Sequence, residues 1–469
     1  MGFWTAALDG NPEAPFRLMA DYFEQIDLKD KELILNFAKK LAGEPAGLCG
    51  IMTCGTDFSP SVAYTAERLN LPGISYETAL KAQDKELMRS VFEKAGIASP
   101  RWKAVHAPCP DVFSLDFEFP VVVKPADNMG ARGCRRVDST AGLKDAVLDA
   151  LRYSRSSKAI IEEYMEGPEF SVDALVFNGE VTICGLAERH IFYPPYFIEM
   201  GHTMPAVLSA RDETAVLDLF CAGIKALGIN CGAAKGDIKL TRRGAMIGEI
   251  AARLSGGYMS GWTYPYSSGA EPVRGALCIA AGEAPFGITP VKNWTSAERA
   301  FISIPGVISA IHGIEEAKKI PYVKDVFLRV KPGDTVDFPQ NNVSKCGNVI
   351  SAAPEREQAI KAAEAALRCI VIELEANNPA TDAFLDSPLE TAFPPSVFYN
   401  YESMAAFKQL NKAEDYAGSG VDYTGRSKEE TLLLVKKLFG KAPPCSDEFN
   451  RAFLRGGYQG ALYYLKTKI

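Results

Sequence analysis

Residues 236–257, GDIKLTRRGAMIGEIAARLSGG, constrain the fold of this chain more than any other stretch. Polar and apolar residues alternate from Asp237 to Thr241, Arg242-Arg243-Gly244 supplies a glycine-containing turn, and Ala245 to Ala251 is strand-like again, which predicts a hairpin. Antiparallel partners keep a constant sum of residue numbers, so a three-residue turn sets Thr241 opposite Ala245, Lys239 opposite Ile247 and Asp237 opposite Glu249. Two carboxylates then face each other. Directly opposed like charges are destabilising, and a hard divalent cation taking oxygen ligands is the usual way such a pair becomes favourable. Arg253 follows closely, and Ser255-Gly256-Gly257 brings bare backbone behind it. The competing reading is a surface hairpin in which Lys239, Arg242 and Arg243 neutralise the acids.

At 469 residues the chain is too long for one ordinary core, and about three domains are expected. A net charge of −7 without a long basic block argues against nucleic acid and anionic membrane as partners. The 11 cysteines are scattered and form no CxxC pair, which argues against a disulfide scaffold and a structural zinc site and fits a reducing cytoplasm. No basic-then-apolar leader opens the chain, and no segment approaches the roughly 18 apolar residues that a membrane span needs.

Residues 1–97 read as strand, helix, strand, helix, with a helix from Lys31 to Leu41, a buried strand from Gly47 to Met52 and a helix from Ser59 or Ser61 to Leu69, an order that implies a parallel sheet. A doubly wound domain normally opens with a strand and a glycine-rich turn; here the pattern starts at what would be its second strand. Thr78 to Ala95 is expected as one charged helix carrying Lys81, Lys85 and Arg89, stopped by Gly96. Phe119 to Pro125 is a β-branched strand ending in Lys124. The loop that follows carries two glycines and three arginines but is neither a P-loop nor a GxGxxG turn. Such a loop can fold over phosphates through successive N–H groups, or be an ordinary turn with solvated arginines. Phe170–Phe177 and Glu180–Leu186 form a second hairpin around Asn178-Gly179. Residues 187–210 read as irregular, with Glu188, Arg189, His190, Glu199 and His202 suited to substrate contact. Short strands recur after 295, a long helix is expected from Glu355 to Glu375, and a terminal helix from Lys428 to Lys441.

VVVKP at 121–125, NMGARG at 128–133, IIEEYMEGPE at 160–169 and GDIKL with GEIAARLSGG at 236–257 occur in one order. Together they resemble the ATP-grasp superfamily, closest to carboxylate–amine ligases of the phosphoribosylglycinamide synthetase and L-amino-acid ligase type. The resemblance implies an α/β, multi-domain ATP-grasp fold: an N-terminal pre-ATP-grasp parallel-sheet domain (1–97) lacking its first strand, a lid with the phosphate loop (98–186), a catalytic part (187–294), an α+β part (295–377) and a C-terminal extension (378–469). It implies ATP and Mg2+ or Mn2+ as cofactors. Lys85 and Lys124 would contact phosphates. Asn128, Met129, Gly130, Arg132 and Gly133 would form the covering loop. Glu162, Glu163, Tyr164 and Met165 would line the adenine pocket, and Glu169 would hold the ribose. Asp237 and Glu249 would hold the metal, while Arg253 and the Gly256 N–H face the acyl centre. Glu199 and His202 are similar to a Glu-x-x-His element that contacts amino-acid substrates, with His202 orienting the amine or taking its proton. Ala251 stands where the family usually has a metal-binding asparagine.

The expected activity is that of a ligase forming carbon–nitrogen bonds through an acyl phosphate, with small-molecule carboxylate and amine substrates. A homodimer is compatible with this. Two rivals stand beside it: a carboxyphosphate-forming enzyme of biotin carboxylase-like or purine type, and a degenerate nucleotide-binding protein.

Overall fold

The computed structural model describes residues 2–107, 114–398, 421–444 and 446–468. At the N-terminus β1 (Ala6–Asp9) and β2 (Tyr22–Gln25) pair in parallel. The helix Lys31–Ala42 follows, started by the Asp30 carboxylate accepting from the Leu33 N–H at 3.0 Å. The strand expected at 47–52 does not form. This segment makes no ladder, and its Gly50 backbone lies against the carbonyl end of the helix Pro272–Ala280.

The single helix expected from Thr78 to Ala95 is two helices, Tyr76–Gln83 and Lys85–Ala95. Asp84 leaves helical geometry at ψ 114° and its carboxylate accepts from the Glu86 and Leu87 N–H groups. An acid able to cap competes with helix continuation. The break sets Lys85 in the first turn of the second helix, where Lys85 and Arg89 share the buried face with Met88 and Phe92.

A four-stranded lid sheet contains Trp102–His106 (β3), Val121–Pro125 (β4), Arg135–Val137 (β5) and Lys158–Glu163 (β6), in the order β3-β6-β4-β5. Beneath it runs an eight-stranded sheet in the order β11-β10-β7-β8-β9-β12-β16-β14. Its strands are Glu169–Phe177 (β7), Glu180–Phe192 (β8), Ile198–Met204 (β9), Gly232–Thr241 (β10), Gly244–Ala251 (β11), Thr295–Phe301 (β12), Val323–Leu328 (β14) and Gly347–Ala353 (β16). The divisions expected at 186 and 294 therefore fall inside one continuous sheet. The stretch 187–210, read as irregular, is mostly the β8–β9 hairpin, with Arg189 opposite His202. Polar residues turned toward a cavity break the alternation that otherwise marks a strand.

Asp237 stands opposite Glu249, as the sequence predicts, but by a different route. The turn has two residues, so Thr241 pairs with Gly244 and Lys239 with Met246, rather than with Ala245 and Ile247. A bulge beside Asp237 leaves Gly248 unpaired and restores the pairing of the two acids. Behind this hairpin the helix Ala210–Leu227 buries Val216, Phe220, Ile224 and Leu227 against Ile238, Ile247 and Ile250.

A three-stranded sheet of Gly306–His312 (β13), Thr335–Val336 (β15) and Val371–Leu374 (β17) forms the C-terminal part. The helix expected to reach Glu375 ends at Cys369 and the chain turns into β17. Ile370-Val371-Ile372 is a β-branched run that suits a buried strand. The tail is integral: helix Lys428–Phe439 is followed by Asp447–Lys468, two helical stretches that meet at a kink at Gly457 and whose Tyr458, Gln459 and Tyr463 are buried against β17 and its surroundings.

Asp84→Ala removes a helix cap and an ion pair to Lys158, and stability falls by about 1 kcal/mol, the usual cost of losing such a cap. Asp84→Asn, which retains the cap, keeps most of it. Denaturant melts of the three proteins check this.

Candidate active site

A cavity of about 400 Å³ lies between the lid and the eight-stranded sheet. Every site residue expected from the sequence lines it except Gly133. Gly133, at φ 67°, turns the chain away, and a Cβ there would meet the Tyr153 ring at 2.7 Å.

Alternation along β4 turns Val122 and Lys124 toward the cavity and buries Val121 and Val123. The Lys124 ammonium lies 2.7 Å from Glu162, and Glu162 also accepts from Arg89 Nε at 2.9 Å. Burial would raise the Glu162 pKa, yet Arg89 and Lys124 hold it below the usual carboxylate range. Glu162 thus lines the cavity as a counter-ion that fixes Lys124. Lys85 enters from the other side, donating to the Asn128 carbonyl at 3.1 Å with Glu249 at 3.5 Å. Burial opposes its charge, but Glu249, Asp57 and Glu162 raise its pKa.

Residues 128–133 form a tight loop in which Gly130, Ala131 and Gly133 all have positive φ. The Asn128 side chain accepts from the Met129 N–H at 2.9 Å and from Arg132 at 2.8 Å. The Asn342 N–H donates to the Gly130 carbonyl at 3.0 Å, tying the loop to residues 339–345. Beside it Val122, Tyr164, Met165, Ile191 and Phe197 line a flat apolar slot, with the Tyr164 and Phe197 rings stacked at 6.4 Å. Glu163, at this hinge, is held by Arg101 at 2.8 Å and by Arg243.

Arg189 spans three carboxylates. Its guanidinium contacts Glu169, Glu199 and, at 3.0 Å, Asp237. Asp237 is further held by Lys235 and by the Ser171 hydroxyl at 3.2 Å. Glu249 opposite is held ionised at about 2: burial would raise its pKa, but Lys85, Lys124, Lys235 and Arg253 lower it. Among the described residues no three acidic, His or Cys side chains cluster as a metal site. The facing carboxylates nonetheless fit a hard divalent ion that takes its remaining ligands from phosphate and water.

His202, 2% exposed, lies between two acids, with Nδ1 2.8 Å from Glu298 and Nε2 3.5 Å from Glu199. Burial alone would lower its pKa, but Glu199 and Glu298 raise it to about 9. The two flanking acids thus favour its charged form, with Nδ1 hydrogen-bonded to Glu298. Glu298 was not singled out in the sequence, because it lies on β12, far along the chain from the His202 it holds.

Arg253 is held by Asp57, whose Oδ1 accepts from Nε and Nη2 at 3.2 Å. Asp57 carries no signal in the sequence, since it reaches the site from the N-terminal part. The turn after Arg253 hangs on buried Asp173, which accepts from the Ser255 N–H at 3.2 Å, the Ser255 hydroxyl at 2.5 Å and the Ser260 hydroxyl. Ser255, Gly256 and Gly257 line the cavity from this turn.

Residues 117–261 match the ATP-grasp domain family, and residues 300–375 match the L-amino acid ligase C-terminal domain 2 family. An uncharacterized protein, y4rH, of Sinorhizobium fredii is 25% identical over 341 residues, 71% of this chain and 70% of that protein. D-alanine–D-alanine ligase B of Pseudomonas putida is 29% identical over 40% of this chain, and the match spans 56% of the ligase. Among solved structures, L-amino acid ligase from Bacillus licheniformis superposes with a TM-score of 0.67 at 24% identity, over 76% of this chain and 88% of that one. Phosphoribosylglycinamide synthetase from Anaerococcus prevotii does so at 0.61 and 19%, over 78% and 92%. The chain thus contains an ATP-grasp domain, and the named ligases it is similar to belong to the carboxylate–amine group, which forms carbon–nitrogen bonds. That group uses ATP and divalent metal ions.

The raised His202 pKa gives a signed prediction. A group whose folded pKa lies above its ordinary 6.5 stabilises the fold fully below pH 6.5, and that contribution is lost as pH rises through about 9. The parent therefore loses stability across this window, whereas His202→Gln is less stable at pH 6 and shows a flatter profile. Denaturant midpoints measured from pH 6 to 10 check it; parallel profiles would mean that His202 is not protonated in the fold.

Proposed function

We propose that this protein joins the carboxylate of one amino acid, or a similar small metabolite, to the amine of another, with an acyl phosphate between the two steps. The observation that carries the reading is that one cavity collects the lysines Lys85 and Lys124, the 128–133 loop, opposed carboxylates and an arginine beside bare backbone. The domain match at 300–375 favours an amino-acid substrate.

In this reading Lys85 and Lys124 hold the triphosphate from two sides, each a charge-assisted contact. The Tyr164–Phe197 slot takes the adenine and Glu169 the ribose. A divalent ion held by Asp237 and Glu249 would neutralise charge as the γ-phosphoryl group passes to a substrate carboxylate oxygen and ADP leaves. The loop 128–133 excludes water from the acyl phosphate. The amine attacks the acyl carbon, phosphate departs, and Arg253 with the Gly256 N–H stabilises the oxyanion formed in between. Protonated His202 keeps Glu199 ionised at the substrate end.

A phosphate-release screen with ATP, magnesium and pairs of common amino acids, followed by mass spectrometry of positive wells, tests this. Amino-acid-dependent release with an amide product is expected. Release that depends on bicarbonate alone would replace the proposal with carboxyphosphate chemistry. Arg253→Ala slows ligation by about 10²- to 10³-fold, the typical cost of deleting an oxyanion donor, with ATP affinity little changed. Arg253→Lys recovers only part, because an ammonium lacks the planar fork. Recovery of Arg253→Ala at high magnesium would show instead that the arginine serves only to balance charge.

A further inference from the structure

The metal end of the cavity has fewer oxygen donors and one more cation than a two-ion centre calls for. β10 turns Lys235, Asp237 and Lys239 to the cavity, while Ala234, Gly236 and Ile238 are buried on its other face. The Lys235 ammonium is ion-paired with Asp237 Oδ2. The other oxygen of Asp237 is shared between Arg189 at 3.0 Å and Ser171 at 3.2 Å. Glu249, by contrast, has its nearest cation, Lys85, at 3.5 Å. Directly across the ladder from Lys235 stands Ala251, a side chain with nothing to donate to a metal.

Two-metal clamps on phosphoryl groups hold both ions within about 4 Å of each other and need oxygen ligands for each. Here the β10–β11 ladder offers the Asp237 and Glu249 carboxylates, no third acidic, His or Cys side chain clusters with them among the described residues, and the Asp237 side is already paired from within the chain. A lysine ammonium is a compact point charge on a flexible stem. Opposite an alanine it has room to stand where a second ion and its ligand would otherwise be.

Resting on the ligase reading above, we propose that Lys235 is a built-in cation taking the place of a second divalent ion beside Asp237, so that the site loads with one divalent ion per bound nucleotide. Lys235 is then a positioning and charge-balancing residue toward the metal. It supplies charge without a coordination site, so the remaining ion depends on Glu249 for its hold.

The test counts ions instead of turnover. Manganese bound to the full chain at saturating adenylyl imidodiphosphate is measured by electron paramagnetic resonance of the free ion. The parent and Lys235→Arg bind about one ion per nucleotide, and Lys235→Gln, of similar length and no charge, admits a second and approaches about two. Two ions in the parent would overturn the inference and leave the ligase reading standing, as would a Lys235→Gln protein that still binds one with unchanged affinity. A parent that binds the nucleotide analogue with no manganese, or binds neither, overturns both. Thermal melts of the two variants with the analogue present separate loss of fold from loss of a site, since a folded protein is stabilised by a bound ligand.

Discussion

Arg89 joins three parts of the molecule at one guanidinium. It belongs to the helix Lys85–Ala95, its Nε donates to Glu162 on the lid strand β6, and its Nη2 donates to the Gly248 carbonyl at the bulge of β11. It is fully buried, and Glu162 is 3% exposed. Removing one partner of a buried pair leaves a charge without compensation and costs about 3–5 kcal/mol. Lys124 shares the same Glu162, so the charge that faces the cavity depends on a residue that never faces it. The Gly248 bulge that sets Asp237 opposite Glu249 is also the carbonyl that Arg89 holds. Lid, helix and carboxylate pair are positioned together or not at all.

The cavity wall is a set of mutually neutralising charges. Arg189 serves three acids, Lys235 leans on Asp237, Lys85 on Glu249, and Lys239 lies 3.5 Å from Glu169. Such pairs are not rigid stabilisers, because burying both members costs desolvation that their attraction only partly returns. A polyanionic ligand and a divalent cation entering together can exchange partners with them. In the proposed function the lysines would turn to phosphate and the acids to metal, so that binding would swap ion pairs and leave no bare charge behind. Tight binding of either species alone would leave one half of each pair unsatisfied.

The four sequence motifs supply more than half of the cavity lining, because each lies on a strand or loop whose local pattern fixes which way it faces. Asp237 opposite Glu249 was legible although the turn length was not: a two-residue turn and a one-residue bulge cancel. Helix continuity through Asp84 was misread, since only three-dimensional capping shows that its carboxylate leaves the helix. The 187–210 hairpin was hidden because Arg189, Glu199 and His202 all turn inward and erase the period of two that marks an amphipathic strand. Asp57, Asp173 and Glu298 were invisible for a related reason. Each acts by holding another residue, Arg253, the Ser255 turn and His202 in turn, from an element distant in sequence, and single-sequence spacing carries no trace of such pairing.

The C-terminal tail, without a role legible in its composition, braces the mouth of the cavity. Phe338 opens the segment 339–345, and its ring meets those of Tyr193, Tyr423 and Phe393 edge-on at 5.2, 5.3 and 5.4 Å. Tyr193 belongs to the β8–β9 connection, while Phe393 and Tyr423 belong to the tail. Four aromatic rings in this arrangement bury large apolar area with defined geometry. From that anchor the segment reaches back to the site. The Asn342 side chain accepts from the Glu199 N–H at 2.8 Å, its own N–H reaches Gly130, and Lys345 donates to the Glu199 carbonyl at 2.7 Å. One short segment thus connects the substrate-end strand β9 with the loop that would cover phosphate, and its base is clamped by the tail. The tail's packing is therefore connected to the 128–133 loop through Phe338 and Asn342, although no described residue of the tail lines the cavity.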